Sequence, residues 1–155
     1  MKISNLLKQD MVIPELEHQD MENVLKEMVH FLKKKNKISK DKELYEKLLQ
    51  RERLGSTAIG DGVAIPHCKI KLANNPLVML AVSRKGADFN SPDGTPSSIF
   101  FLVVSSPDNP SLNLQVLAAI AHLVRKADTM IQKILKAEDV YSVLEIIREE
   151  EEKLE

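Results

Sequence analysis

Among the residues able to act as nucleophiles or proton carriers, His67 and Cys68 stand out by position. They follow Pro66 at the end of the apolar run Val63 to Ile65, and a loop around Gly55, Gly60 and Gly62 precedes them. A neutral imidazole can attack phosphorus through one nitrogen, provided an acceptor holds the other and fixes the tautomer. The transferred group would bring about −1.5 to −2 charges near neutral pH and would need donors around it. Backbone N–H groups of a loop rich in Gly and Ser suit that need. So does a guanidinium, and Arg51 sits at the end of the predicted helix that feeds the loop. On the residues alone a second reading stays open: a histidine at a strand terminus, its hydrogen bonds satisfied, with no chemistry.

Other chemistries find less support. His18, His30 and His122 share no short ligand spacing with one another or with His67, so no metal site is expected. On a strand, neighbouring His67 and Cys68 point to opposite faces and would not share one ion. Cys68 as a nucleophile requires a base and a group to orient that base. Neither is near it in sequence, so a half-buried thiol is the expectation, and a hydrolase built on His67 and Cys68 lacks its parts. There is no G-x-S-x-G elbow. The string GSTAIGDG lacks the Gly-Lys-Ser/Thr ending of a P-loop and does not lead from a strand into a helix, so no nucleotide or dinucleotide fingerprint is read there. No cofactor is expected.

Composition narrows the class. The length of 155 residues suits one domain, 1–155. A net charge of −1 argues against a general nucleic-acid binder. No run of about 20 apolar residues is present to span a membrane, and MKISNLLKQD lacks the apolar core of a signal peptide. Cys68 is the only cysteine, which rules out an intrachain disulfide. These features predict a cytoplasmic protein. The charged runs Lys33 to Lys37 and Glu149 to Glu152 read as solvated helix ends.

The elements that must position His67 are legible in outline. Met11 to Leu16 predicts a short edge strand, because Pro14 cannot donate to a central ladder. Asp20 caps a predicted helix over 21–34, with Asn36 as its stop. A second helix opens at Ser39 to Asp41 and runs to about Leu54, with Gly55 as a C′ glycine. Ser56 to Gly62 reads as loop and Val63 to Ile65 as a short strand ended by Pro66. Leu77 to Val82 and Ile99 to Val104 are continuous apolar runs, the pattern of strands buried on both faces. Asp88 to Pro96 is a turn-rich connection. Ser111 is the expected cap of a third helix, and 129–136 and 137–154 read as two more. The order predicts an α/β fold, a central mixed β-sheet flanked by helices on both faces.

The stretch Arg51 to Lys69, RERLGSTAIGDGVAIPHCK, closely resembles the active-site signature of the type-2 EIIA proteins of the bacterial sugar phosphotransferase system. These are the fructose/mannitol EIIA domains and the nitrogen-regulatory EIIA proteins. The shared pattern is an Arg-Glu pair, the loop G-S-T-x-I-G-x-G, then hydrophobic-A-I-P-H. The resemblance covers the whole chain and implies the same single α/β domain. It further implies that His67 accepts a phosphoryl group from phospho-HPr. The group then passes to a cysteine of an EIIB partner, or the phosphorylation state serves as a regulatory (nitrogen/potassium) signal. No nucleotide or metal is implied. Arg51 matches the family's arginine near the histidine, and Ser56 lies in the loop expected to support the phosphoryl group. One departure stands out. Family members carry a second histidine in an H-L-x-x-L context, where this chain reads Asn113-Leu114-Gln115-Val116-Leu117. An amide can orient His67 or donate to phosphate, but it cannot become cationic. The alternative this permits is an EIIA-like module that binds a transporter or regulator without efficient phosphoryl transfer. The LGST loop, and the lack of an attached EIIB or membrane EIIC, lean the expectation toward the nitrogen-regulatory type.

Overall fold

The two continuous apolar runs pair with each other at the centre of the sheet. The computed structural model describes residues 1–72 and 75–154. Along the chain its elements are β1 (Val12–Ile13), α1 (Met21–Lys34), α2 (Asp41–Leu54), β2 (Ala58–Gly60), β3 (Val63–Ala64), β4 (His67–Lys69), β5 (Leu77–Ala87), β6 (Ser97–Ser105), α3 (Pro110–Lys126), α4 (Met130–Lys136) and α5 (Val140–Lys153). β5 runs antiparallel to β6, with Leu80 opposite Phe101 and Ala81 opposite Phe100. Val78 to Val82 and Ile99 to Val104 are buried throughout, so both faces need cover and the helices supply it. The strand order is β1-β5-β6-β3-β2, with β4 also on β6, and parallel and antiparallel pairs mix as the sequence predicts.

The expected edge strand forms as two residues, Val12 and Ile13, parallel to β5. Asp20 caps α1 as expected, accepting the Asn23 N–H at 3.1 Å. α3 begins earlier than predicted. Asn109 rather than Ser111 is its cap, accepting the Leu112 N–H at 3.2 Å. Pro110 takes the first helical position, where a missing N–H costs nothing. α5 begins later, at Val140, because Asp139 caps it through the Ser142 N–H at 2.8 Å. Part of the expected loop, Ala58 to Gly60, is strand β2, antiparallel to β3.

Two further expectations are corrected. Gly55 has φ 166°, an extended backbone open to any residue, so α2 does not end through a left-handed glycine. The Glu149 to Glu152 run is not simply solvated: Glu150 and Glu151 are 6% and 9% exposed. They stand three and four residues after buried Ile147 and so share its helix face. Glu150 accepts from Lys133 Nζ at 2.8 Å. Glu151 accepts the Ile3 N–H at 2.5 Å and the Ser4 N–H at 2.9 Å, joining α5 to the N-terminal 3-10 turn.

Candidate functional site

β3 and β4 are two pieces of one line along the same edge of β6. Val63 and Ala64 lie opposite Ile99 and Phe100. His67, Cys68 and Lys69 lie opposite Val103, Val104 and Ser105. Pro66 breaks the line because it has no N–H to donate, yet its carbonyl accepts the Val103 N–H at 2.9 Å. His67 therefore opens a new strand piece, whereas the sequence suggested a strand terminus. Its ring is half-buried, and Nδ1 lies 2.7 Å from the Ile65 carbonyl oxygen. A carbonyl can only accept, so Nδ1 carries a proton, and in the neutral ring the lone pair is on Nε2.

Arg51 and Glu52 lie in the last turn of α2. Lys47, one turn earlier on the Arg51 face, donates to the Lys69 carbonyl at 3.4 Å, so α2 packs on β4. Arg51 Nη1 donates to the Gly55 carbonyl at 2.7 Å, and a guanidinium has further N–H donors beyond that one. Glu52 is 7% exposed. Its carboxylate accepts the Thr57 N–H at 2.9 Å and also the Thr57 hydroxyl. The Thr57 carbonyl in turn accepts the Ile65 N–H at 3.0 Å.

Ser56 is half-buried, and its hydroxyl is held by backbone groups. It donates to the Phe89 carbonyl and accepts the Ala58 N–H at 3.0 Å. Phe89 is itself buried edge-on against Phe100, centroids 4.8 Å apart, which anchors the 88–96 connection beside the loop. From that connection Asp93 accepts the Asp61 N–H at 2.9 Å and the Thr95 N–H at 3.1 Å. The Ser91 and Thr95 hydroxyls donate to it as well, each at 2.6 Å. These donors, Ser91 foremost, hold the Asp93 carboxyl well below the usual carboxylate range.

Asn113 is the fourth residue of α3 and only 4% exposed. Its Nδ2 donates to the Ser106 carbonyl at 3.0 Å, while its buried Oδ1 accepts no hydrogen bond among the described residues. Ser106 directly follows Ser105, the partner of Lys69. Because β4 and β6 run parallel, Asn113 stands at the sheet end toward which β4 runs. Cys68 packs against the core, and burial pushes its thiol up to about 12. It therefore holds little thiolate near neutral pH and is a poor nucleophile. Among the described residues no group of three or more His, Cys, Asp or Glu could hold a metal ion.

Sequence reasoning missed Asp93 and gave no role to Glu52 and Thr57, although both stand in the shared pattern. A signal for Glu52 was available: an acid in the last turn of a helix faces the negative dipole end and needs a local reason to be there. The spacing Ser91-x-Asp93-x-Thr95 is likewise that of a side chain capping its own turn.

Residues 5–150 match the family described as phosphoenolpyruvate-dependent sugar phosphotransferase system, EIIA 2. The chain belongs to that family. It is 32% identical over 149 residues to the PTS system fructose-specific EIIABC component of Bacillus subtilis (strain 168). That match takes in 96% of this chain but only 23% of that longer protein. A nitrogen regulatory protein of Bradyrhizobium diazoefficiens is 35% identical over 150 residues, covering 93% of this chain and 95% of the relative. Among solved structures, nitrogen regulatory protein IIA-Ntr from Neisseria meningitidis superposes with a TM-score of 0.84 at 24% identity, covering 94% and 98% of the two chains. Mannitol IIA from Escherichia coli gives 0.76 at 16% identity, covering 90% and 97%. The EIIA fold is thus shared across the sugar-transport and nitrogen-regulatory names. No helix among the described residues of this EIIA chain is long and apolar enough to cross a membrane.

Proposed function

We propose that this EIIA chain is a phosphocarrier whose acceptor atom is His67 Nε2. The observation that carries the reading is the 2.7 Å contact from Nδ1 to the Ile65 carbonyl, which in the neutral ring puts the lone pair on Nε2. In the transfer, the Nε2 lone pair attacks the phosphorus of a phosphohistidine on an HPr-type carrier. The donor P–N bond breaks and its electron pair stays on the donor nitrogen. Nδ1 keeps its proton, so the phosphorylated ring is cationic and the Ile65 carbonyl stabilises it. A cationic ring is a good leaving group, which suits onward transfer. The remaining guanidinium N–H groups of Arg51 are the proposed donors to the phosphoryl oxygens. The Ser56 side chain supports the site by holding the loop. No nucleotide, metal or other cofactor is required, because the phosphoryl group arrives already activated.

The onward partner is an EIIB cysteine or a regulatory target, and the setting is the cytoplasm. A mannitol IIA of this fold has been solved with phosphorylated IIB, which supports an EIIB-type partner. Incubation with enzyme I, HPr and phosphoenolpyruvate tests the reading by intact mass. One phosphate is expected on the wild type and none on His67→Ala. A wild-type chain left unmodified by several HPr homologues overturns it.

A second reading is an EIIA-like regulatory module with inefficient transfer. It rests on Asn113, which the motif resemblance matches to the family's second histidine and whose Nδ2 is engaged by Ser106. Partner binding equal for wild type and His67→Ala favours it. Binding that changes strongly with phosphorylation removes it.

A further inference from the structure

We infer that Glu52 is a positioning residue for His67, acting through Thr57 and Ile65; this rests on the reading of His67 as the phosphoryl acceptor. The link is a continuous path of hydrogen bonds between α2 and β4. Glu52 accepts both the N–H and the hydroxyl of Thr57. The carbonyl of Thr57 accepts the Ile65 N–H at 3.0 Å. The carbonyl of Ile65 accepts the His67 Nδ1 proton at 2.7 Å. Each member has one role. Glu52 can only accept, so it orients both Thr57 donors toward itself. Thr57 is only 5% exposed, so bulk solvent is a poor substitute for that carboxylate. Ile65 precedes proline, which confines it to extended geometry. A displacement at its N–H is therefore passed to its carbonyl and not absorbed by the backbone torsions. The Ile65 carbonyl is the group that decides which imidazole nitrogen is protonated.

Helix capping alone does not account for the arrangement. A buried acid in the last turn of α2 opposes the helix dipole, and the partners it gains there belong to the loop that leads to the His67 strand. Removing it leaves two buried donors without an acceptor, which the fold does not tolerate unmoved. The loop then moves to hydrate them and takes the Thr57 carbonyl with it.

The test uses the full chain and two readouts, with folded fraction followed by circular dichroism. The first is the ¹⁵N shifts of the His67 imidazole in the unphosphorylated protein, which report the tautomer. The second is the phosphoryl-transfer rate per folded molecule. Wild type is expected to show a single tautomer protonated at Nδ1. Glu52→Gln and Thr57→Val are expected to show mixed tautomers, with transfer slowed on the order of tenfold, the lower end of what losing an outer partner of a metal-ligating histidine costs. Thr57→Ser, which keeps the hydroxyl, is expected to restore both. Unchanged ¹⁵N shifts in Glu52→Gln and Thr57→Val, with activity lost only in proportion to unfolded protein, overturn the inference. Should Glu52→Gln fail to fold, Thr57→Val decides by the same criteria, since it removes one hydroxyl bond and keeps the amide bond. A wild type that takes up no phosphate sinks the phosphocarrier reading, and the ¹⁵N shifts still decide the coupling.

Discussion

The Nδ1–H of His67 donates to the carbonyl of Ile65, two residues back, over 2.7 Å. The acceptor lies just before Pro66, on a segment whose geometry the proline restricts. One nitrogen is thus occupied and the other left for the proposed role of nucleophile. The phosphoryl group is expected on Nε2 and not on Nδ1. Phosphorus–nitrogen couplings in the ¹⁵N-labelled phosphoprotein distinguish the two isomers. A phosphate found on Nδ1 contradicts the proposed chemistry.

Arg51 is the cation whose removal should matter most. Its Nη1 bond to the Gly55 carbonyl is local, so Arg51→Ala should fold. Transfer is expected to fall by roughly 10²-fold, the cost of losing one preorganised donor to developing charge. Arg51→Lys should recover only part of this, because an ammonium lacks the planar fork. Single-turnover transfer from phospho-HPr measures it.

Two glycines of the loop should respond in opposite ways. Gly60 has φ +90°, and a Cβ there would lie 3.0 Å from the Asp93 carboxylate. Gly60→Ala is expected to destabilise by about 1–3 kcal/mol. Gly55 is extended, and an added Cβ meets nothing within 4 Å. Gly55→Ala should be neutral or stabilising by up to about 1 kcal/mol, through the unfolded chain. Urea unfolding of both variants checks the contrast.

Asp93 should give the fold an acid limb. Its carboxyl is depressed below an ordinary 3.8 by the Ser91 and Thr95 hydroxyls and the Asp61 and Thr95 amides. A depressed carboxyl stabilises the fold above its unfolded value and loses that contribution as the pH falls through its folded value. Asp93→Asn should therefore lower the Tm at neutral pH. The gap from wild type should close progressively below pH 3.8 as the native carboxylate protonates. A gap that is constant with pH counts against the assignment.

Cys68 should be chemically quiet. With its thiol pushed up to about 12 by burial, it should react with a disulfide reagent at pH 7.5 at least about tenfold slower in the native than in the urea-unfolded chain. Cys68→Ser should retain phosphate uptake.

Much of the site was readable before any fold. The types and order of Arg51, the glycine-rich loop and His67 sit within one continuous stretch, where local chemistry and family resemblance both apply. The central strands were readable for the same reason, since Leu77 to Val82 and Ile99 to Val104 are unbroken apolar runs that demand cover on both faces. Helix starts were less legible. Asn109 and Asp139 displaced the expected caps by a few residues, because neighbouring polar residues compete for the same orphan amides and the packing of each helix selects among them.

By itself, then, the sequence determined the fold class and singled out His67 as the proposed acceptor, because both rest on residue type and short-range order. Only the tertiary structure decided which nitrogen of His67 is free, where Glu52 spends its charge, and that Glu150 and Glu151 are buried. The first two turn on backbone geometry within a few residues, which residue types alone do not set, and the last on partners brought in by distant elements. The Thr57 carbonyl meets Ile65 only when β2 folds back antiparallel on β3, and Glu151 meets Ile3 only when the two ends of the chain come together. Residue order sets what a side chain is able to do, and long-range packing sets which donor or acceptor lies within its reach.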